Sequence, residues 1–298
     1  PGDAGVYAVG TGNTGAAGAF LTLGVVYFII MIIAAFQYRV PANDWKPEGY
    51  EPPTESESAA KMKTLDNVHI NQAIKTPQFY QLWIVLCFNV SAGIGVIGVA
   101  KTMMSEIFGS APEGTDLANI VTATFAGTYV LMISVFNMCG RIIWASMSDF
   151  IGRKNTYHCF FVLGTILYLS IPFTANAVSV NPSVMYLVMF YAATMIIFTM
   201  YGGGFATIPA YLADMFGTLH VGGIHGRLLT SWSMAGIVGP VGLATLRQWS
   251  TKQAILDLSE KIEDSQFYNK FGASKESIDV LIDANTVTIS RLMEIAPI

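Results

Sequence analysis

Six long apolar blocks constrain the fold of this chain more than any other feature. Each holds at least the ~17 residues that a helix needs to cross a bilayer core about 30 Å thick. Backbone groups in lipid must find partners within the segment, and the blocks lack the ~10-residue alternation of a membrane β-barrel, so helices are predicted. The predicted spans, numbered one to six, are Ala16–Gln37, Phe79–Ala100, Ile120–Ser148, Tyr157–Phe173, Ser183–Ala213 and Leu228–Leu246. The predicted fold class is an all-α integral membrane protein.

The composition excludes a soluble domain. Of the 298 residues, 53% are hydrophobic and 12% are charged, which is too apolar for a water-facing surface. The net charge of −4 gives no reason to expect a nucleic-acid partner. The four histidines show no ligand spacing, and neither a nucleophile–base pair within the spans nor a Gly-x-x-x-x-Gly-Lys-Ser/Thr motif is visible. We therefore predict no metal, no cofactor and no enzymatic activity.

Basic residues in the short loops predict the orientation. If span one runs from outside to inside, the inner connections hold most of the lysines and arginines, as the positive-inside rule requires. These are Arg39, Lys46, Lys61, Lys63, Lys75, Arg153, Lys154 and Arg227. The outer segments 1–15, 105–119 and 176–182 contain none. The amino-terminal stub and the carboxyl-terminal tail are therefore predicted to lie outside, in a multi-pass protein of the cell membrane (inner or plasma membrane).

The longest inner segment, residues 38–76, is rich in Pro, Glu and Ser and predicts an extended cytoplasmic linker. A plain tether is the favoured interpretation, and a regulatory or partner-binding role is the alternative. Thr76-Pro77 predicts the N-cap and first helical position of span two. After span six, the tail 248–298 mixes lysines with acidic residues. Its amphipathic run from Ala254 predicts a small folded cap outside the membrane.

Arg141 interrupts span three. It lies about eight positions before Asp149, or ~12 Å along a helix, close to the bilayer midplane. An arginine at that depth costs roughly 2.5–3.5 kcal/mol on insertion scales and is found where it faces a watery cavity or an anion. Snorkelling to the surface is the alternative. Polar or amphipathic residues recur at helical spacing from Arg141 and favour a lined cavity. They are Ser134, Asn137, Trp144 and Ser148.

A short motif follows span three, Ala145-Ser-Met-Ser-Asp-Phe-Ile-Gly-Arg-Lys154. It resembles the loop motif Gly-x-x-x-Asp-Arg-x-Gly-Arg-Lys of the major facilitator superfamily. The matching residues are Asp149, Gly152, Arg153 and Lys154, whereas Ala145 and Phe150 depart from the motif. The resemblance implies a gating role for the four matching residues, in which an acidic helix end pairs with a basic turn and holds the inner gate in one state. An ordinary positive-inside turn is the alternative.

Further segments are similar to the oxalate:formate antiporter family, relatives of the monocarboxylate transporters. They are residues 137–141, 201–217, 229–240 and 286–297. This resemblance covers nearly the whole chain. It implies helices six to eleven of a twelve-helix transporter, an incomplete major facilitator fold without the first five helices and the twelfth.

In that register the chain has four parts. Residues 1–37 are an outer stub and the last helix of the N-terminal half, and 38–76 are the cytoplasmic linker between the halves. Residues 77–247 form a C-terminal bundle of five helices. Residues 248–298 are the extracytoplasmic loop before the absent last helix.

The resemblance also implies a substrate site. Arg141 would grip the substrate carboxylate, and Asn137, one turn earlier, would contact the same group. Asn137 is a neutral amide where monocarboxylate transporters often place an acid for proton coupling. Tyr201 and Phe205 would line the cavity, with packing around a Gly-rich stretch as the alternative. Trp232 lies where oxalate exchangers carry a lysine, which favours a monocarboxylate substrate.

The sequence thus predicts a secondary carrier of small organic carboxylates, of the monocarboxylate or oxalate/formate type, that works by alternating access. Its expected partners are a small carboxylate anion, the lipid bilayer and the N-terminal helices of the same protein. Two alternatives stay open. One is a membrane sensor that binds carboxylates without turnover, and the other is a proton-coupled monocarboxylate symporter.

Overall fold

The computed structural model describes residues 16–39, 42, 45, 48–49, 64, 66–109 and 114–296. The predicted outer stub and most of the predicted linker lie outside the described residues. The chain divides into two compact units, Pro1–Pro53 and Thr54–Ile298, and each is described by itself. In the described ranges the regular structure is helical, and six segments are long and apolar enough to cross a membrane.

The first unit contains helix α1, Ala16–Gln37. Its apolar window has a mean hydropathy of 2.6, and its 22 residues include no charged side chain. The helix is therefore apolar on every side, as a lipid-embedded helix requires. At 1.5 Å per residue it is about 33 Å long, enough to cross the hydrocarbon core.

The second unit is a helical bundle with a small cap. Its helices are α2 (Ile70–Ala73), α3 (Pro77–Phe108), α4 (Asp116–Ile120), α5 (Ala123–Ile151), α6 (Arg153–Val180), α7 (Val184–Phe216), α8 (Val221–Leu228), α9 (Thr230–Glu260), α10 (Asp264–Phe271), α11 (Ile278–Asp283) and α12 (Ile289–Met293). A 3-10 turn, Lys275–Ser277, precedes α11. Helices α8 and α9 form one apolar segment interrupted at Leu229. Spans two to six each fall on one of the five long segments.

Local chemistry sets several helix ends. The hydroxyl of Thr76 accepts a hydrogen bond from the Phe79 N–H at 3.4 Å, and Pro77 opens α3, so the predicted N-cap is confirmed. A single residue, Gly152, separates α5 from α6 with φ 87°, and Gly217 ends α7 with φ 83°. Both backbones lie in a region that L side chains rarely adopt, which is why glycine occupies these two turns.

Helices α5 and α7 approach each other closely because small residues lie between them. A Cβ added to Gly140 of α5 would collide with the backbone of Thr199 in α7. One added to Gly202 of α7 would collide with the carbonyl of Asn137 in α5. Helices α3 and α9 pair through a similar glycine contact. Helix α7 is the most buried of the membrane-length segments and packs on α3, α5 and α6.

The predicted boundary between 247 and 248 falls inside α9, because the helix continues to Glu260. Residues after Leu246 are polar but include good helix formers, so lower hydropathy does not end the helix. Helices α10 to α12 fold around the end of α9 and enclose a second, smaller core. Its buried residues are Ile255, Ile262, Phe267, Ile278, Val287 and Leu292. The predicted cap is therefore folded, and its place outside the membrane stays a prediction.

Ion pairs link the pieces of the cap. Lys252 of α9 lies 2.6 Å from Asp279 of α11. Lys270 of α10 pairs with Glu294, just past α12. The hydrogen bond from Lys270, together with its positive charge, lowers the pKa of Glu294. The cap is held by charge contacts between its helices as well as by its apolar core.

The end of the predicted linker is folded where the structure describes it. The Thr64 N–H donates to the Asp214 carbonyl at 2.8 Å, and the Val68 N–H donates to the Phe216 carbonyl at 2.9 Å. The Asn67 side-chain oxygen accepts from the Leu219 N–H at 3.0 Å. This part of the segment therefore binds the corner between α7 and α8.

Candidate functional site

Arg141 lies on α5 about ten residues before the helix ends at Ile151, or ~15 Å along its axis. That distance equals half of a ~30 Å hydrocarbon core, which is the depth that the sequence predicts for Arg141. The guanidinium carbon lies 5.3 Å from the centroid of the Phe205 ring on α7. A cation–π contact of this kind is worth about 0.5–2 kcal/mol. Among the described residues, no carboxylate lies within ion-pair distance of Arg141.

An aromatic cluster from α7, α8 and α9 surrounds Phe205. The rings of Phe205 and Trp232 meet edge to face with centroids 4.6 Å apart. Tyr201 lies 6.3 Å from Trp232, and His225 lies 6.4 Å from Phe205. Arg141 and three predicted aromatic residues, from three different helices, are therefore brought to one place. An edge-to-face aromatic pair is worth about 0.5–1.5 kcal/mol beyond its buried area, so it stabilises the surroundings of the guanidinium.

Tyr201 also packs between helices. Its side chain is only 6% exposed, and its ring lies on Gly93 of α3, where an added Cβ would collide with it. Tyr201 therefore packs between α7 and α3 and also lines a cavity beside Gly164. Its role at the substrate stays a prediction. Phe205 and Trp232 are less buried than Tyr201.

Asn137 lies one turn from Arg141 and faces α7. Its side-chain oxygen is buried against Gly202 and has no hydrogen-bond partner among the described residues. The amide O and N atoms exchange by a flip, so the same position can present an acceptor or a donor. Burying such a group without a partner is costly.

The predicted polar stripe on α5 is only partly available to a ligand. The Trp144 indole N–H donates to the Thr199 hydroxyl of α7 at 3.1 Å. Ser148 is buried and accepts a hydrogen bond from Arg153. Ser134 donates to its own helix, to the Val130 carbonyl at 3.4 Å. Trp144 and Ser148 thus serve helix packing, because polar groups inside a membrane bundle bond to neighbouring helices.

Asp149, Arg153 and Asp214, here called the latch, join the ends of α5, α6 and α7. Arg153 donates to Asp149, as the motif predicts, and also to Asp214 at 3.4 Å. The side chains of Arg153 and Asp214 are 12% and 16% exposed, whereas that of Asp149 is 63% exposed. The partner that shares the protected environment of Arg153 is therefore Asp214. Gly152 supplies the turn that lets Arg153 fold back onto α5.

Lys154 lies apart from the latch. Its side chain is exposed and lines a cavity between α3 and α6, with His158 one turn further along α6. In the parts of the chain that the structure describes, no carboxylate pairs with Lys154. The four motif residues are thus divided between two places.

Comparison with known proteins agrees with this architecture. The sequence profile of the Major Facilitator Superfamily matches residues 5–242, which is most of the chain. The chain belongs to the Major Facilitator Superfamily. This is a superfamily of multi-pass membrane transporters and not of enzymes, so the predicted fold class and the predicted absence of enzymatic activity are confirmed.

Two relatives of this superfamily member are similar over part of their own length. One is the oxalate:formate antiporter of Oxalobacter formigenes, 28% identical over 245 residues, which cover 80% of this chain and 50% of that protein. The other is the uncharacterized MFS-type transporter YhjX of Escherichia coli (strain K12), 23% identical over 167 residues, which cover 56% of this chain and 36% of that protein. The chain thus spans about half the length, or less, of the curated relatives it matches.

Two residues of the site are absent from the sequence predictions. Asp214 lies just before the glycine that ends α7. An acidic residue at a predicted helix end was the sequence feature that could have indicated its role. His225 lies on α8, seven positions before Trp232, which places both on one face of a helix. The spacing can be counted in the sequence. However, span six was predicted to begin at Leu228, and the helix is interrupted at Leu229, so His225 fell outside the predicted span.

Proposed function

We propose that this member of the superfamily is a secondary active carrier of small organic carboxylates that works by alternating access. The observation that carries the proposal is the mid-membrane guanidinium of Arg141, which rests on an aromatic ring and has no carboxylate partner among the described residues. A charge at that depth is unfavourable unless water or an anion meets it. A transported anion supplies that partner.

Arginine suits a carboxylate for geometric reasons. Its planar guanidinium donates two parallel hydrogen bonds and stays charged at every physiological pH. The aromatic ring of Phe205 accepts no conventional hydrogen bond, so the N–H donors of Arg141 remain for the ligand. Asn137 supplies a second polar group one turn away.

The aromatic cluster favours a small substrate with one negative charge. Trp232 brings an apolar indole to the place where a second cation would be needed for a dianion. Desolvating a second carboxylate costs several kcal/mol unless a cation or strong donors offset it. The similarity to an oxalate:formate antiporter supports the carboxylate class, and the local chemistry favours the monocarboxylate over the dicarboxylate.

Exchange is favoured over proton-coupled symport. Asn137 does not titrate, so it cannot carry a proton with the substrate. The protein would then swap one carboxylate for another across the cell membrane, with its N-terminal helices closing the site from the opposite side. The latch would keep the ends of α5, α6 and α7 together while this half of the carrier moves as one body.

Counterflow tests this function. The full-length protein is reconstituted in liposomes loaded with unlabelled formate, oxalate, lactate or pyruvate, and uptake of the labelled anion is followed. We expect transient accumulation with at least one monocarboxylate. Saturable binding of these anions to the purified protein without counterflow would instead identify a sensor. Accumulation that requires an inward proton gradient would identify a symporter.

A further inference from the structure

Two cavities lie along one groove between α3 and α6, and residues of α7 line both of them. The second cavity is also lined by Tyr201 of the aromatic cluster. The first, about 180 Å³, lies at the starts of both helices and is lined by Gln78, Gln81, Lys154 and His158 with apolar walls. The second, about 370 Å³, lies further along the same groove beside Gly164 and is predominantly apolar. Phe161 lines both cavities, so they are neighbours along α6.

The first cavity has the chemistry of an anion site. Lys154 brings a positive charge that no carboxylate of the described residues neutralises, although the adjacent Arg153 has two. His158 lies one turn along the same face of α6 and supplies a ring N–H in either protonation state. Gln78 and Gln81 add amide donors from α3. These groups together match a phosphate ester better than a neutral ligand.

The second cavity is suited to an acyl chain of a lipid. Its walls include Phe88 and Leu169, which are largely exposed on the outside of the bundle. Gly164 lies about ten residues beyond Lys154, or ~15 Å along α6. One leaflet of a ~30 Å hydrocarbon core has the same depth. A molecule with its charged group at Lys154 would therefore reach the second cavity with an acyl chain.

We infer that this groove binds one anionic phospholipid. The headgroup phosphate lies at Lys154 and His158, and an acyl chain follows Phe161 into the second cavity. The basic end of the groove lies at the membrane surface, where positively charged pockets between helices attract anionic headgroups. A soluble anion would use the first cavity but would gain nothing from the apolar groove that continues it. The inference does not depend on which substrate is transported.

Native mass spectrometry of the full-length protein tests this site. The protein is released from mixed micelles that contain equal amounts of phosphatidylglycerol and phosphatidylcholine, and retained lipids are counted. We expect wild type to retain phosphatidylglycerol preferentially. Lys154→Gln with His158→Gln should lower that preference by about fivefold, the effect expected from one surface cation. Lys101→Gln, which removes a basic residue near the other end of α3, is the matched control and should leave the preference unchanged.

Three further measurements keep the result interpretable. Lys154→Arg keeps the charge and should keep the preference, which separates lost charge from lost folding. Thr165→Trp fills the second cavity and should weaken retention of long-chain phosphatidylglycerol but not of its dihexanoyl form. Excess inorganic phosphate should not displace the long-chain lipid. Equal retention of both lipids by wild type, an unchanged preference in the double variant, or displacement by phosphate would each overturn the inference.

Discussion

Arg141 and Arg153 lie on consecutive helices and meet different partners. Arg153 pairs with two carboxylates, of which Asp214 is protected from solvent and Asp149 is exposed. Arg141 instead lies over the Phe205 ring, and that ring packs against Trp232. The charge of Arg153 is thus met within the described residues, whereas no described carboxylate pairs with Arg141. These different surroundings are the basis for proposing Arg141 as a ligand-binding group.

We propose that Trp232 sets the charge of the preferred substrate, and a substitution tests this proposal. Trp232→Lys places a second cation beside the aromatic cluster, so it should shift the preference from monocarboxylates toward oxalate. We expect a change in relative affinity of about tenfold, or ~1.4 kcal/mol, because the introduced cation offsets part of the desolvation cost of the second carboxylate. Competition of oxalate against labelled formate or lactate uptake, in both forms, measures it. Tighter oxalate binding by wild type would show that another cation already serves the dianion.

The close contact between α5 and α7 is the main packing feature at the scale of helices. Gly202→Ala forces a methyl group into the carbonyl of Asn137, and overpacking of this kind costs about 1–3 kcal/mol. We therefore expect a lower unfolding temperature for the purified protein. Gly236→Ala is the matched control on α9, because an added Cβ there meets nothing within 4 Å. Equal unfolding temperatures for the two variants would show that the helices separate easily at Gly202.

The two acidic residues of the latch are expected to contribute unequally to thermal stability. Asp214 is protected from solvent together with Arg153, whereas Asp149 is largely exposed, and exposed ion pairs contribute little. Asp214→Asn should therefore lower thermal stability more than Asp149→Asn does. Differential scanning fluorimetry of both variants measures the difference. A larger effect at Asp149 would mean that the sequence motif alone describes the latch.

Sequence reasoning works best for the helices and least well for their ends and cross-contacts. Apolar length and hydropathy are local properties, so the five long segments of the second unit follow directly from the sequence. The continuation of α9 to Glu260 was missed because falling hydropathy was treated as the end of a helix. Asp214 and His225 were missed because their partners, Arg153 and Phe205, are distant in sequence. The Arg141–Phe205–Trp232 cluster was predicted through the family resemblance, which supplies long-range information that spacing lacks.

At the scale of the whole molecule, the membrane bundle continues into the cap through α9, while the end of the inner segment binds the corner of α7 and α8. The positive-inside rule places these two features on opposite sides of the membrane. Cysteine labelling in intact cells checks this. Ser56→Cys and Ser265→Cys are made with Cys87, Cys139 and Cys159 replaced by alanine. An impermeant thiol reagent should label position 265 from outside, and position 56 only after permeabilisation. Labelling of both positions from outside would overturn the orientation.

The central claim is that the guanidinium of Arg141 binds the transported carboxylate. The most direct measurement is carboxylate exchange in proteoliposomes by wild type, Arg141→Lys and Arg247→Lys. Lysine keeps the charge but loses the paired donors, so Arg141→Lys should lose most exchange while inserting normally. Arg247→Lys, at an exposed ion pair with Glu106, should exchange like wild type. Wild-type exchange by Arg141→Lys, and also by Arg141→Ala, would contradict the claim.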